Sequence, residues 1–80
     1  MAADEQHIER RNLVGTGCPM NLVYAKVAMA QLKTGQLLEI ILDDGAPAVN
    51  VARSLQEEGL QIISRLQRPD TSWQLLVRKR

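Results

Sequence analysis

The amino-acid sequence predicts an α/β (α+β) two-layer sandwich, in which two helices cover one face of a mixed four-stranded sheet. Segments of helical composition alternate with short aliphatic segments, and this alternation gives the element order β-α-β-α-β-β. A chain of 80 residues supplies one modest core, so both helices must pack on the same sheet. We therefore expect a single domain over residues 1–80, with residues 1–6 flexible.

The first half of the chain contains two strands and the helix that joins them. Residues 8–14 are predicted to form a strand, which the glycines within residues 15–17 end. Residues 19–33 are rich in Leu, Ala, Met, Lys and Gln and begin with a proline, which suits a first helical turn. After Gly35, residues 36–42 form an almost continuous aliphatic run, typical of a strand at the centre of a sheet.

The second half adds a helix and a hairpin. Residues 47–58 carry apolar side chains at the spacing of an amphipathic helix. Residues 60–67 alternate like a strand, although Ile63 interrupts the pattern. Residues 68–71 supply turn chemistry, and residues 73–77 complete the hairpin. Because crossovers are right-handed, the first two strands should be parallel, and the segments that follow them should meet at one edge of the sheet.

The composition argues against several classes of function. A net charge of +1 lacks the basic excess of nucleic-acid and membrane-surface binders, and one Tyr and one Trp offer few rings for base stacking. One cysteine cannot form an internal disulfide, and with one histidine, His7, it makes no recognisable zinc site. The sequence starts without a signal-peptide pattern. We expect a cytoplasmic protein that needs no cofactor or metal. We also expect that it binds neither a membrane nor, directly, nucleic acid.

Cys18 is the candidate reactive residue. It lies between Gly17 and Pro19 at a predicted strand-to-helix junction, where unpaired N–H groups and the helix dipole stabilise negative charge. Such a position favours the thiolate, which is the nucleophilic form of cysteine. Gly15 and Gly17 leave room for an approaching donor, and Pro19 fixes the first helical residue. The alternative is that Cys18 is a small buried hydrophobic side chain.

Two surfaces are candidates for binding a partner protein. The first helix has two apolar stripes, of which only one can face the sheet fully, and the surplus indicates a binding surface near Cys18. The stripes are Met20, Val23, Tyr24 and Val27, and Leu22, Ala25, Met29 and Leu32. Basic residues in the last quarter form either a solvated surface or a docking patch for an acidic protein. They are Arg65, Arg68, Arg78, Lys79 and Arg80.

Asp43, Asp44 and His7 are polar residues for which we expect structural rather than catalytic roles. Asp43 and Asp44 should form the turn before the second helix and cap that helix. His7 stands on or before the first strand, so a Cys-His hydrolase is not expected.

The chain resembles the TusA (SirA-like) sulfur-carrier family from about residue 8 to residue 79. The resemblance rests on the run Leu13-Val14-Gly15-Thr16-Gly17-Cys18-Pro19-Met20-Asn21 and on Thr34-Gly35, the aliphatic strand and Asp43-Asp44. The family opens its first helix with Cys-Pro-x-Pro, and here Asn21 stands in place of the second proline. Asn12 and Val14 occupy positions that are often Asp and Arg.

The resemblance implies a persulfide carrier on Cys18, with Gly15, Gly17, Pro19 and Asn21 as supporting residues. A cysteine desulfurase or rhodanese-like protein would donate the sulfur, and an acceptor protein would receive it. Such a protein is a sulfurtransferase-type carrier rather than a stand-alone enzyme of many turnovers. Two other functions remain open: an interaction module that uses the helix-one stripe and the basic C-terminus, and an RNA-binding α/β domain, for which the few aromatics and near-neutral charge are unfavourable.

Overall fold

The computed structural model describes residues 8–17 and 19–80 and has the predicted order of elements. The elements are β1 (Ile8–Asn12), α1 (Met20–Ala30), β2 (Leu37–Leu42), α2 (Ala46–Glu57), β3 (Gln61–Gln67) and β4 (Trp73–Arg78). β1 ends at Asn12 rather than at residue 14, because Asn12 Oδ1 accepts the N–H of Val14 at 3.0 Å and turns the chain. The predicted fold class is confirmed.

The four strands are ordered β1-β2-β4-β3, which places β2 and β4 at the centre. β1 pairs with β2 in parallel, and β4 pairs antiparallel with both of its neighbours. The central strand and the parallel pair are therefore as predicted. The β1–α1 loop, residues 43–45 and residues 68–72 all meet where β1 and β2 end and β4 begins. We call this side of the sheet the loop edge.

The core lies between the two helices and one face of the sheet. On β2, Leu38, Ile40 and Leu42 are fully buried against the helices, while alternate residues face the other side. The core cluster is entirely aliphatic and consists of Leu13, Ala25, Ala28, Met29, Leu32, Leu38, Ile40, Leu42, Val51, Ala52, Leu55, Leu75 and Val77. Large-to-small changes in such a core cost about 2–5 kcal/mol, a large share of the stability of a small domain.

The third strand contains a β-bulge at Ile63, the residue that interrupts its alternation. Ile62 pairs with Val77 and Ser64 pairs with Leu76, so Ile63 has no opposite residue on β4. Ile63 remains 39% exposed. The break in alternation at this position thus reflects an extra residue in the ladder.

A compact turn joins β3 to β4. Thr71 N–H donates to Arg68 O at 2.9 Å, and Arg68 N–H donates to Ser72 O at 2.7 Å. The Asp70 carboxylate accepts from both the hydroxyl and the N–H of Ser72. These two hydrogen bonds, assisted by the charge of Arg68, hold the pKa of Asp70 below its usual value.

The Asp70 contacts should make stability depend on acid pH. Because the pKa is lowered in the folded state, the ionised carboxylate stabilises the fold above the unfolded pKa, and this contribution is lost as the pH falls through the folded pKa. We expect Asp70→Asn to be less stable than the wild type at neutral pH, with the difference shrinking below about pH 4. Urea denaturation at several pH values measures the difference in the free energy of unfolding between the two proteins. A constant difference at all pH values would contradict the assignment.

Candidate functional site

The candidate site is the β1–α1 loop with the first turn of α1, which flank Cys18 in the sequence. Cys18 itself and His7 lie outside the described residues, 8–17 and 19–80. Both neighbours of Cys18 in the sequence, Gly17 and Pro19, are exposed. A Cβ added to Gly15 or Gly17 would meet no atom within 4 Å. Gly15 and Gly17 therefore border open space, and room for a donor at Cys18 itself stays a prediction.

Hydrogen bonds from backbone N–H groups hold the loop before Cys18. Leu13 N–H extends the β1 ladder to Ile41 O at 2.8 Å, and Thr16 N–H donates to Leu13 O at 3.0 Å. Gly15 N–H donates to Asp43 Oδ2 at 2.8 Å. Gly15 has a φ of 83°, a conformation that glycine adopts without a steric penalty. The loop is therefore fixed by β2 and by the segment that follows β2.

The hydrogen bonding of α1 uses the carbonyls of Gly17 and Pro19 as its first acceptors. Asn21 N–H donates to Gly17 O at 3.0 Å, and the N–H groups of Leu22 and Val23 donate to Pro19 O at 3.1 and 3.2 Å. The first turn of α1 has neither an acidic residue nor a side-chain cap. No α1 carboxylate therefore offsets the positive end of the helix dipole, which favours an anion by about 0.3–1 kcal/mol.

Asn21 is buried, which its polarity did not predict. It is 1% exposed, and its Oδ1 accepts the N–H of Leu22 at 2.7 Å. Among residues 8–17 and 19–80, its Nδ2 finds no hydrogen-bond partner. The backbone N–H that Asn21 has and a proline would lack is used by the bond to Gly17 O.

The two aspartates after β2 bind the loop edge together, and the prediction that they cap α2 was wrong. The N-cap of α2 is Gly45, and no side chain caps that helix. Asp43 instead accepts from Gly15, and Asp44 Oδ1 accepts from Trp73 Nε1 at 2.7 Å. Two consecutive carboxylates thus connect the β1–α1 loop to the first residue of β4. The segments that follow β1 and β2 were predicted to meet at one edge of the sheet, and the contact between Gly15 and Asp43 confirms this. The sequence pattern did not predict the hydrogen bonds of Asp43 and Asp44.

One of the two α1 stripes faces solvent. Ala25 and Met29 of the inner stripe are buried, and Leu22 packs against the core. The outer stripe remains about half exposed: Met20 45%, Val23 45%, Tyr24 48% and Val27 52%. It starts two residues after Cys18 in the sequence, so it lies beside the candidate site as well as along the helix.

A groove of about 410 Å³ borders the outer stripe on the side of β1. Its lining includes Arg11 from β1 and Thr16 from the β1–α1 loop, together with Tyr24 and Val27 from α1. Arg11 Nη1 donates to Arg10 O at 2.8 Å and lies 3.3 Å from Glu9 Oε1. The groove extends the half-exposed apolar surface away from the first turn of α1.

The basic residues of the last quarter do not form one patch. Arg68 lies in the turn at the loop edge, whereas Arg78 is at the opposite end of β4, roughly 17 Å of strand away. Lys79 Nζ donates to the carbonyls of Ala30 and Leu32 at 3.4 and 2.7 Å and so caps the C-terminal end of α1. Because β4 separates Arg68 from Arg78 and Lys79, the five basic residues do not form one continuous patch, and the docking role of the C-terminal ones stays a prediction.

Among residues 8–17 and 19–80, no group of three or more His, Cys, Asp or Glu side chains is arranged to hold a metal ion. In the same part of the chain, neither helix has the length and hydrophobicity needed to cross a bilayer.

Comparison with known proteins identifies the family. The family model for "Sulfurtransferase TusA" matches residues 10–79, which include the β1–α1 loop and both helices. The chain belongs to the TusA sulfurtransferase family. It is 26% identical over 81 aligned residues to a "Putative sulfur carrier protein" of Archaeoglobus fulgidus, covering 98% of this chain and 92% of that protein. Family and relative together support a sulfur-carrier role, which implies contacts with sulfur donor and acceptor proteins.

A solved structure shows the same fold. The crystal structure of a SirA-like protein from Desulfitobacterium hafniense matches with a TM-score of 0.78 at 20% identity. The match covers 90% of this chain and 96% of that one. The resemblance to TusA and SirA-like proteins is thereby confirmed for the family and for the fold.

The hydrogen bond from Gly15 to Asp43 should control the rigidity of the loop. We expect Asp43→Ala to speed amide hydrogen exchange at Gly15 and to lower the free energy of unfolding by about 1 kcal/mol, since a single exposed acceptor is lost. Asp44→Ala is the matched control, because Asp44 bonds to Trp73 and not to the loop. Equal exchange rates at Gly15 in both variants would show that Asp43 does not hold the loop.

Proposed function

We propose that the protein carries sulfane sulfur as a persulfide on Cys18 and passes it to an acceptor protein. The observation that carries this proposal is the exposed start of α1, where Gly17 and Pro19 flank the chain's one cysteine in the sequence. The first turn of α1 has no acidic residue, and it belongs to a sulfurtransferase-family chain. A reducing compartment such as the cytoplasm suits this chemistry, because it keeps the thiol free.

The transfer needs no cofactor and no net oxidant. The Cys18 thiolate attacks the outer sulfur of a donor persulfide, a new S–S bond forms, and the donor's own S–S bond breaks. The donor cysteine leaves as a thiolate, so the outer sulfur has changed carriers and the electrons balance. Delivery repeats the step in the other direction, with the acceptor's thiolate attacking the outer sulfur held on Cys18. The first turn of α1 has no acidic residue, and the positive end of its dipole favours an anionic sulfur at each stage.

The outer stripe of α1 is the proposed docking surface for the sulfur donor. A donor cysteine must reach Cys18, so the two proteins must touch close to the start of α1, where the stripe begins. Four half-exposed apolar side chains on one helix face suit a protein interface, and Tyr24 is of a residue type enriched among interface hot spots. A small-molecule donor does not need this contact.

The carrier role predicts sulfur loading that depends on Cys18. Incubation with a cysteine desulfurase and cysteine should add one sulfur atom to the intact protein, and a reductant should remove it. Cys18→Ala and Cys18→Ser should show no gain, because no other thiol exists in the chain. Intact-mass spectrometry measures the result. A wild-type chain that gains no sulfur from any donor would refute the carrier role and favour an interaction module.

If the outer stripe docks the donor, a substitution in it should slow sulfur loading from a protein donor but not from a small-molecule donor. Val27→Glu should slow loading from a desulfurase roughly tenfold or more, because a charge replaces an apolar contact. Loading from inorganic polysulfide should be unchanged.

Val49→Glu on α2 is the matched control, since Val49 is 50% exposed and Val27 is 52% exposed. It should load normally from both donors. A Val27→Glu variant that loads from the desulfurase at the wild-type rate would exclude the outer stripe as the docking surface.

A further inference from the structure

We propose that the chain binds a partner protein through a pocket beside α2, apart from the outer stripe of α1. The partner segment carries an apolar side chain next to a carboxylate. The pocket has a volume of about 220 Å³ and lies where the first turn of α2 meets β3 and β4, and we call it the α2 pocket. The apolar side chain fills the pocket, and the carboxylate pairs with an arginine of β3. Its lining includes Asp44, Gly45, Ala48, Arg65, Trp73 and Leu75.

Small residues at the start of α2 leave this space open. Gly45 is the N-cap of α2, and Ala48 lies in the first turn, buried on the side of the helix that faces the sheet. Neither side chain is long enough to reach across to Leu75 on β4. Larger side chains fill the core elsewhere between the helices and the sheet, as close packing requires. The α2 pocket is therefore an apolar recess at the border of the core.

Trp73 gives the α2 pocket an aromatic wall that is held in place. Its Nε1 donates to Asp44 Oδ1 at 2.7 Å. Its backbone is the first residue of β4 and pairs with Leu42 of β2 and Gln67 of β3. A side chain that is already fixed loses little conformational freedom when a partner binds. Tryptophan is also among the residue types most enriched in interface hot spots.

The charges around the pocket favour an anionic group at its β3 side. Within residues 8–17 and 19–80, the Arg65 guanidinium has no ion pair and no hydrogen bond. Asp44, the other charged residue of the lining, already accepts the indole N–H of Trp73. The strand order β2-β4-β3 puts two strand spacings, roughly 10 Å, between the end of β2 and Arg65. A carboxylate at Arg65 thus gains a bidentate partner and stays away from Asp44.

The dimensions of the α2 pocket suit a protein side chain better than a free small molecule. Small-molecule sites typically have volumes of about 300–1,000 Å³ and enclose most of their ligand. The α2 pocket has about 220 Å³, and it is open to solvent at the exposed Arg65. A leucine or phenylalanine fits this space, and the rest of the partner chain can continue over the open side.

A second copy of this chain does not offer such a segment. In the described ranges 8–17 and 19–80, none of the exposed large apolar residues has an aspartate or a glutamate as its neighbour in the sequence. An apolar side chain and a carboxylate on adjacent residues must therefore come from a different protein.

The test uses Trp73, which is the chain's one tryptophan, to report on the pocket. Titration of the wild type with the peptide acetyl-Ser-Asp-Leu-Asp-Ser-amide should shift the fluorescence of Trp73 and the NMR signal of its Nε1–H, with a dissociation constant of about 1 mM. Two matched peptides, one with alanine for the leucine and one with lysine for both aspartates, should bind at least roughly tenfold more weakly. These comparisons need no variant of the chain.

A pair of arginine variants tests the charge assignment. Arg65→Gln should weaken binding of the acidic leucine peptide roughly tenfold, because the bidentate carboxylate partner is lost. Arg80→Gln is the matched control, since it removes the same charge from an exposed residue beyond the other end of β4. It should bind the peptide like the wild type.

Three results would overturn the proposal: no response of Trp73 to the acidic leucine peptide at millimolar concentration, equal binding of the lysine peptide, or wild-type affinity in Arg65→Gln. Hexanoate that binds as tightly as the acidic leucine peptide would assign the pocket to a free aliphatic acid and overturn the protein partner. None of these measurements involves sulfur, and the lining residues named above lie outside α1 and the β1–α1 loop. Failure here therefore leaves the carrier role untouched.

Discussion

β1 and β2 run in parallel, and Leu13 N–H continues their ladder to Ile41 O one residue past the end of β1. Parallel neighbours cannot be joined by a tight turn, so the chain must cross over the sheet, and α1 makes that crossover. The crossover leaves the loop edge from the end of β1 and returns at the other end of the sheet. The start of α1 is thereby set beside the end of β2, and the arrangement of the candidate site depends on this pairing.

The loop edge is then held by contacts between segments that are distant in the sequence. Asp43 reaches back to the loop before Cys18, and Asp44 reaches forward to the indole of Trp73. Both carboxylates accept hydrogen bonds, so they bind neighbouring elements while the first turn of α1 keeps no acidic residue of its own.

Two features of α1 make the fold less stable than it could be. The outer stripe of α1 keeps four apolar side chains about half exposed, although the core of an 80-residue chain is small. Asn21 occupies a buried position with an unpaired amide group, where a leucine would gain apolar burial without that penalty. Departures from good packing and full hydrogen bonding tend to gather at functional sites. Here both lie on the first two turns of α1.

The sequence by itself determined the element order, the parallel first pair and the central β2 strand. These features follow from local patterns, since strand and helix periodicities and turn residues act over a few positions, and the right hand of crossovers is general. Only the tertiary structure decided which stripe of α1 faces the sheet, which partners Asp43 and Asp44 take, and that β4 separates the basic residues. It also buried Asn21. Each of these depends on packing between elements far apart in the chain, which a local pattern does not encode.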